Sequence, residues 1–265
     1  MFDDSLSRWS LTPDSEPLTT HTSILLPVRH QGLPAMLKTA TEAEERRGAE
    51  TMVWWDGVGA ARVLAHAGDA LLMERDTGES SLAEMARNGR DDEASRIICA
   101  VAARLHAPRN RPPPSLAPLE CWFAELEPGA TRHGGILHLA AATARQLLAE
   151  PQDIVVLHGD IHHGNILDFG SRGWLAIDPK GLRGERGFDF VNILRNPDAQ
   201  TALTPGRFAR QATVVADAAG LDRGRLLKWI LAFTGLSASW VLGDGMEPLL
   251  DLAVADLAAA ELDRA

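Results

Sequence analysis

The chain has 265 residues, of which 45% are hydrophobic and 23% charged, and carries a net charge of -10. That length and balance suit a globular protein of one large domain or two lobes and exclude a disordered or membrane-embedded chain. The acidic excess argues against wide contact with a nucleic-acid backbone and leaves room for a cationic small-molecule partner.

The first residues, MFDDSLSRWSLTPDSEP, are acidic and lack a basic region followed by an apolar core. They do not read as a signal peptide, and a cytoplasmic location is expected. TSILLPVRH, the pair Gln31-Gly32 and LPAMLKTA read as a β-hairpin, two β-rich apolar runs about a glycine turn, with Lys38 near the end of the second strand. ATEAEERRGAETMVWW has helix formers with early acidic residues and stops at Asp56-Gly57. ARVLAH and DALLMER are two more short strands. Residues 1–75 are therefore expected to form a small β-rich lobe with one helix, and residues 76–265 a larger, mainly helical lobe.

Helical periodicity covers 82–88, 91–106, 119–126 and 135–150, while 109–118 with its PPP run is a stiff extended linker. IVVLH, NILDF and GWLAID are short strands separated by glycine turns. From Phe188 onward the pattern is helical, broken at NPDAQTALTPG and near Gly220, Gly224 and Gly243. The longest uncharged stretch, 229–243, carries Thr234, Ser237 and Ser239 and is shorter than the roughly 20 residues a bilayer requires, so it reads as a buried core helix. Cys99 and Cys121 lack metal spacing and are expected to be buried, reduced thiols.

The chemistry concentrates in VVLHGDIHHGNILDF and GWLAIDPKG. Strand, polar loop, strand, turn and strand would gather Asp160, Asn165 and Asp178 at one edge of a hairpin system. A carboxylate facing a hydroxyl, with an amide oxygen and a second carboxylate for Mg²⁺, is what phosphoryl transfer from ATP needs. A metallophosphoesterase reading of His158 and GDIHHGN would require further clustered ligands, whereas His21, His30, His66, His106, His133 and His138 are scattered. No GxxxxGK[ST] motif is present.

These motifs resemble the aminoglycoside phosphotransferase family of protein-kinase-like enzymes, with HGDIHHGNIL as the catalytic loop and IDPKG as the metal loop. The strings IDPKGLRGERGFDFVNILRNP and ETMVWWDGVGAARVLAH are similar to the branch of streptomycin 6-phosphotransferases and hydroxyurea-resistance kinases, from about Thr22 to about Asn196. The resemblance implies an α+β, two-lobe kinase fold with ATP between the lobes and transfer of the γ-phosphoryl group to a small-molecule hydroxyl. It assigns Asp160 as catalytic base or hydroxyl-positioning carboxylate, Asn165 and Asp178 to Mg²⁺, and Lys38 to the α- and β-phosphates. The backbone at Glu74 and Asp76 would hold adenine, and Asp189 in GFDFVNIL would accept backbone hydrogen bonds from the catalytic loop. His158 would order the loop, while His162 and His163 either line the site or shape the turn.

One position departs from the family. The helix glutamate that usually pairs with the strand lysine is replaced by Gly48, leaving Glu44, Glu45 or Glu50 as candidates, with Glu45 taken as the cofactor-side residue. If Glu44 or Glu45 substitutes, a Gly48→Glu change is expected to be neutral or activating. A non-catalytic nucleotide-binding pseudokinase is the alternative that this departure raises. For the acceptor, the branch implies a streptomycin-like aminoglycoside phosphorylated at position 6, with hydroxyurea or another metabolite as alternatives. Asp244, Glu247 and Asp251 are expected to share a helical face near it, with Asp256, Glu261 and Asp263 beyond. No nucleic-acid or membrane partner is implied, and the oligomeric state stays open between monomer and dimer.

Overall fold

The computed structural model describes residues 2–20 and 23–264. Thr22, with which the first hairpin strand is read to begin, lies outside the described residues. Helix α1 (Asp3–Arg8) and short strands β1 (Leu11–Pro13) and β2 (Leu18–Thr19) precede the hairpin of β3 (Ser23–His30) and β4 (Leu33–Ala40). Helix α2 (Ala43–Trp55) and strands β5 (Val63–Ala67) and β6 (Ala70–Glu74) follow. The strands form one antiparallel sheet in the order β1-β3-β4-β6-β5, with β2 on β3. Successive side chains of β4 point to opposite faces. Ala35 and Leu37 join a small outer core with Leu26, Val28 and Leu72, against which Phe2, Leu6 and Trp9 pack. Lys38 is on the other face, where α2 lies, and is 8% exposed.

The first residues are thus a structured cover for the sheet, an element that their short, acidic sequence did not announce. The buried residues of α2 are Glu45, Gly48, Ala49, Thr51, Met52 and Trp55, a stripe at helical spacing. Glu45 is on that stripe, whereas Glu50 is exposed.

The larger lobe holds α3 (Leu82–Arg87), α4 (Asp91–His106), β7 (Ala117–Pro118), α5 (Leu119–Trp122), α6 (Leu126–His133), α7 (Ile136–Ala149), β8 (Ile154–Leu157), β9 (Ile166–Asp168), β10 (Trp174–Ala176) and β11 (Leu182–Glu185). A 3₁₀ segment, Arg186–Ile193, leads to α8 (Ala199–Ala202), α9 (Arg207–Ala219), α10 (Arg223–Gly243) and α11 (Leu249–Leu262). Helix α10 is the one described helix long and apolar enough to cross a membrane, but it is mostly buried, packed against α6, α7, α9 and α11.

Three expectations are corrected. β9 and β10 pair as a hairpin, but β8 pairs with β11, which LRGE did not suggest because its buried residues, Leu182 and Glu185, bracket a charge and a glycine. The helix read over 119–126 breaks into α5 and a 3₁₀ turn, and α6 then runs through Pro128, which its first turn tolerates. Cys121 is exposed, while Cys99 is buried and its thiol is pushed up to about 12 by desolvation.

The two lobes meet where α2 crosses the loop after β10. A Cβ on Gly48 would lie 2.1 Å from the Pro179 carbonyl oxygen, and one on Gly181, at φ +65°, would lie 2.6 Å from Arg47 Cβ. Both glycines are therefore required by close approach. This overturns the expectation for Gly48→Glu. The variant should lose about 1–3 kcal/mol or more, because a backbone oxygen cannot move aside without separating the helix from the loop. Its melting temperature and nucleotide affinity should both fall; parental values of both would show that the helix has room.

His163 is 2% exposed and neither ring nitrogen has a hydrogen-bond partner, so it shapes the turn. Burial and then the Arg207 charge hold its pKa down, at about 4. The unfolded chain takes up this proton near pH 6.5, the folded chain only near 4, so stability present above pH 6.5 is lost as pH falls through that window. The loss is about 2 kcal/mol at pH 5. Urea midpoints for His163→Leu should therefore change less between pH 7.5 and 5 than those of the parent, and an identical pH slope would place the titration elsewhere.

Candidate active site

The catalytic loop is built around a buried carboxylate. Asp189 accepts hydrogen bonds from the backbone N–H groups of His158 (2.9 Å) and Gly159 (2.7 Å), and its Oδ2 is 2.6 Å from His106 Nε2. It occupies the structural place expected for it. His158 is fully buried, and desolvation lowers its pKa against the pull of Asp189 and Asp160, which keeps the ring neutral. Its contacts fit one tautomer: Nε2–H donates to the Ile177 carbonyl (2.8 Å) and Nδ1 accepts from the Asp160 N–H (3.2 Å). The ring also stacks on Trp55 at the end of α2, with centroids 5.9 Å apart.

Residues three apart eclipse in a 3₁₀ helix. Asn192 thus stands over Asp189 and donates to Asp160 Oδ1 at 2.9 Å. Asn165 donates from its amide nitrogen to the Asp160 carbonyl (2.9 Å) and to Asp160 Oδ2 (3.2 Å). Burial alone would raise the Asp160 pKa, but the nearby His162 ring, 3.7 Å away, and the Lys180 charge outweigh it and leave the pKa below the usual carboxylate value. Asp160 is therefore an ionised, doubly anchored carboxylate, better suited to orienting a hydroxyl than to removing its proton early.

On the opposite side, Lys38 from β4 pairs with both Glu45 of α2 and Asp178. Lys180 joins them at 3.3 Å from Glu45 Oε1 and 3.3 Å from Asp178 Oδ2, and at 3.9 Å from Glu44. Glu45 thus takes the lysine pairing one turn before Gly48, while Glu44 turns toward Lys180. Asp178 has φ +62° and a pKa of about 2, because Lys38 and Lys180 together outweigh its desolvation. Breaking such a buried pair by removing one partner typically costs about 3–5 kcal/mol.

A divalent cation of Mg²⁺ type fits the oxygen donors on this edge. The Asn165 amide nitrogen is committed to Asp160, which leaves its amide oxygen for a cation, and the Asp178 carboxylate is ionised. The Ile177 N–H donates to the Asn165 carbonyl at 2.9 Å and keeps the two residues adjacent. Among the described residues no three histidine, cysteine or carboxylate side chains gather as a metal-ligand cluster, which the metallophosphoesterase reading requires.

At the end of β6 the Glu74 N–H donates to the Arg62 carbonyl (3.0 Å), and its carboxylate accepts from the Arg62 N–H (2.6 Å) and pairs with Arg172. Glu74 therefore fastens the segment between the lobes. Asp76, two residues on, is exposed.

Beside Asp160 opens a cavity of about 380 Å³. His162, Lys180, Asn192 and Arg195 supply polar walls, and Trp122, Phe233 and Trp240 the apolar ones. Sequence reasoning missed most of these. Asn192 is signalled by its three-residue spacing from Asp189, but Trp122, Arg195 and Trp240 come from separate elements and had no local signature. A second cavity, about 450 Å³, contains Arg87, Arg207 and Arg210 and none of the loop carboxylates.

The acidic helix face is not formed. Asp244 and Glu247 are exposed in the turn between α10 and α11, because α10 ends at Gly243. Asp251 is 3% exposed and pairs with Arg195 at 2.9 Å, and Glu261 pairs with Arg223 and Arg264. Asp256 and Asp263 are exposed.

Comparison with known proteins agrees with this arrangement. Residues 8–245 match the family described as aminoglycoside/hydroxyurea antibiotic resistance kinase. A streptomycin 3''-kinase of Klebsiella pneumoniae is 52% identical, covering 97% of this chain and all of the relative. A streptomycin 6-kinase of Streptomyces glaucescens is 32% identical, covering 98% of this chain and 88% of the relative. The fold superposes, with a TM-score of 0.65 and 11% identity over 99% of this chain and 96% of the other, on an aminoglycoside phosphotransferase crystallised with ADP and hygromycin B. The chain is a phosphotransferase of protein-kinase-like fold and belongs to the aminoglycoside/hydroxyurea antibiotic resistance kinase family.

Proposed function

We propose that the protein transfers the γ-phosphoryl group of ATP to streptomycin, at the 3'' hydroxyl. The observation that carries the position is the 52% identity, over its full length, to a relative named as a streptomycin 3''-kinase. Position 6, expected from the sequence, is the second reading, supported by the 32% identical 6-kinase relative.

In this reading residues 1–75 close over ATP on residues 76–265. Lys38, held by Glu45, meets the α- and β-phosphates, and adenine lies against the backbone from Glu74 to Asp76. Because the Glu74 N–H is bonded to Arg62, its share of a base contact falls to its carbonyl. Asn165 and Asp178 would hold Mg²⁺, which, when bound, neutralises phosphate charge. Asp160 fixes the acceptor hydroxyl in line with the γ-phosphorus and receives its proton late, after most of the bond to the leaving oxygen has broken. The rate then comes chiefly from orientation and charge stabilisation. Trp122 and Trp240, packed edge to face with centroids 5.6 Å apart, give the cavity an aromatic wall of the kind that attracts a guanidinium or ammonium group, in keeping with a cationic acceptor.

Streptomycin incubated with ATP, Mg²⁺ and the protein should yield a monophosphate whose phosphorus couples to the 3'' proton in a ³¹P–¹H spectrum. Coupling to the proton at position 6 would transfer the assignment to the second reading, and turnover on hydroxyurea alone would remove streptomycin altogether. Asp160→Asn should lower kcat by about 10²-fold or more while nucleotide affinity stays near parental. Glu45→Gln should lower turnover far more than Glu44→Gln, since only Glu45 contacts Lys38; equal effects would mean Lys38 is oriented by Asp178 alone.

A further inference from the structure

Phosphoryl transfer requires positive charge around the moving group, yet the loop HGDIHHGN contains no lysine or arginine. Two strong cations line the cavity beside Asp160, Arg195 and Lys180; Arg195 is paired with Asp251 at 2.9 Å, whereas Lys180 lies against Asp178 on the phosphate side. The Lys180 backbone is fixed from two sides, since its N–H donates to the His158 carbonyl at 2.7 Å and the adjoining Pro179 carbonyl abuts Gly48 of α2. Its ammonium is 3.3 Å from Asp178 Oδ2, while Lys38 takes Oδ1 of the same carboxylate. Lys180 also lines the cavity that holds Asp160, whereas Lys38 does not. The two lysines therefore flank Asp178 on different sides, Lys38 toward the sheet and Lys180 toward the acceptor.

We propose that Lys180 is a further catalytic residue, a second phosphate-binding lysine that contacts the transferred γ-phosphoryl group between Asp160 and Asp178. The proposal rests on the kinase reading above and assigns a residue within it. As the bond forms between the acceptor oxygen and the γ-phosphorus, the bond to the β,γ-bridging oxygen breaks and its electron pair leaves with ADP. The hydroxyl proton passes to Asp160. Lys180 keeps its own proton throughout and balances charge on the equatorial oxygens. Before nucleotide arrives, its pairs with Glu45 and Asp178 hold it in place.

A γ-phosphate contact separates this role from mere support of Asp178. In Lys180→Met, affinity for Mg²⁺ with the imido analogue AMPPNP, measured by calorimetry without acceptor, should fall about tenfold, while affinity for Mg²⁺ with ADP changes less than about threefold. These figures take the loss of one charged contact as the guide. The value of kcat should fall about 10²-fold, and Lys180→Arg should recover part of it. Should the methionine variant not fold, the parent still gives the answer. The ¹⁵Nζ resonance of Lys180, identified by its disappearance in Lys180→Arg, should move with Mg²⁺-AMPPNP and stay in place with Mg²⁺-ADP. Equal weakening of both nucleotides, an unmoved resonance, or a kcat within threefold of parental would overturn the proposal. Failure of the parent to phosphorylate streptomycin would count against the substrate reading alone, because the two nucleotide measurements do not involve an acceptor.

Discussion

The structure depends on a buried set of charges in which Lys38 and Lys180 face Glu45 and Asp178. They come from three parts of the chain: Lys38 from a central strand, Glu45 from a helix, and Asp178 and Lys180 from the loop after β10. Opposite charges at this depth attract strongly because the surroundings screen them little, but desolvation opposes that attraction, so the net stabilisation is modest. What the arrangement confers is position. With one partner missing, the others would retain a buried charge without compensation, and each element is therefore held to a single geometry.

A second carboxylate, Asp189, does for the catalytic loop what the lysines do for Asp178. It binds backbone N–H groups, and Asn192 on the same 3₁₀ edge binds the Asp160 side chain. His158 closes the link by bonding the loop to Ile177, next to Asp178. The acceptor side and the phosphate side of the site are thereby one hydrogen-bonded body, and the groups that must align across the reacting phosphorus are aligned before substrates bind.

How far this was legible in the sequence follows from how local each signal is. The hairpin around Gln31-Gly32, the helix Asp91–His106 and the HGDIHHGN loop declare themselves through turn residues, 3.6-residue spacing and clustered polar groups. Helical spacing also favours Glu45 over Glu50, since Glu45 lies on the stripe with Ala49, Met52 and Trp55. Tertiary contacts had no such signature. Gly48 reads as a missing glutamate until the Pro179 carbonyl is seen against it, and Asp244 and Glu247 read as a helix face until α10 is seen to stop at Gly243. Strand β11 is defined by its partner β8 rather than by its own four residues. Lys180 was hidden because a lysine in a short loop is ordinarily solvated.

The contact of α2 with the metal loop bears on control as well as on assembly. Many kinases are regulated by swinging the equivalent helix outward, which parts its glutamate from the strand lysine and silences the enzyme. Here the helix carries Gly48 against Pro179 and Arg47 against Gly181, so an outward swing would open a void along two backbone contacts and uncover Trp55 from His158. The off position that such regulation requires is therefore expensive, and the fold is built to stand assembled. The pairing of Lys38 with Glu45 is thereby kept by the packing of α2 itself, with no further segment of the chain needed to press the helix inward.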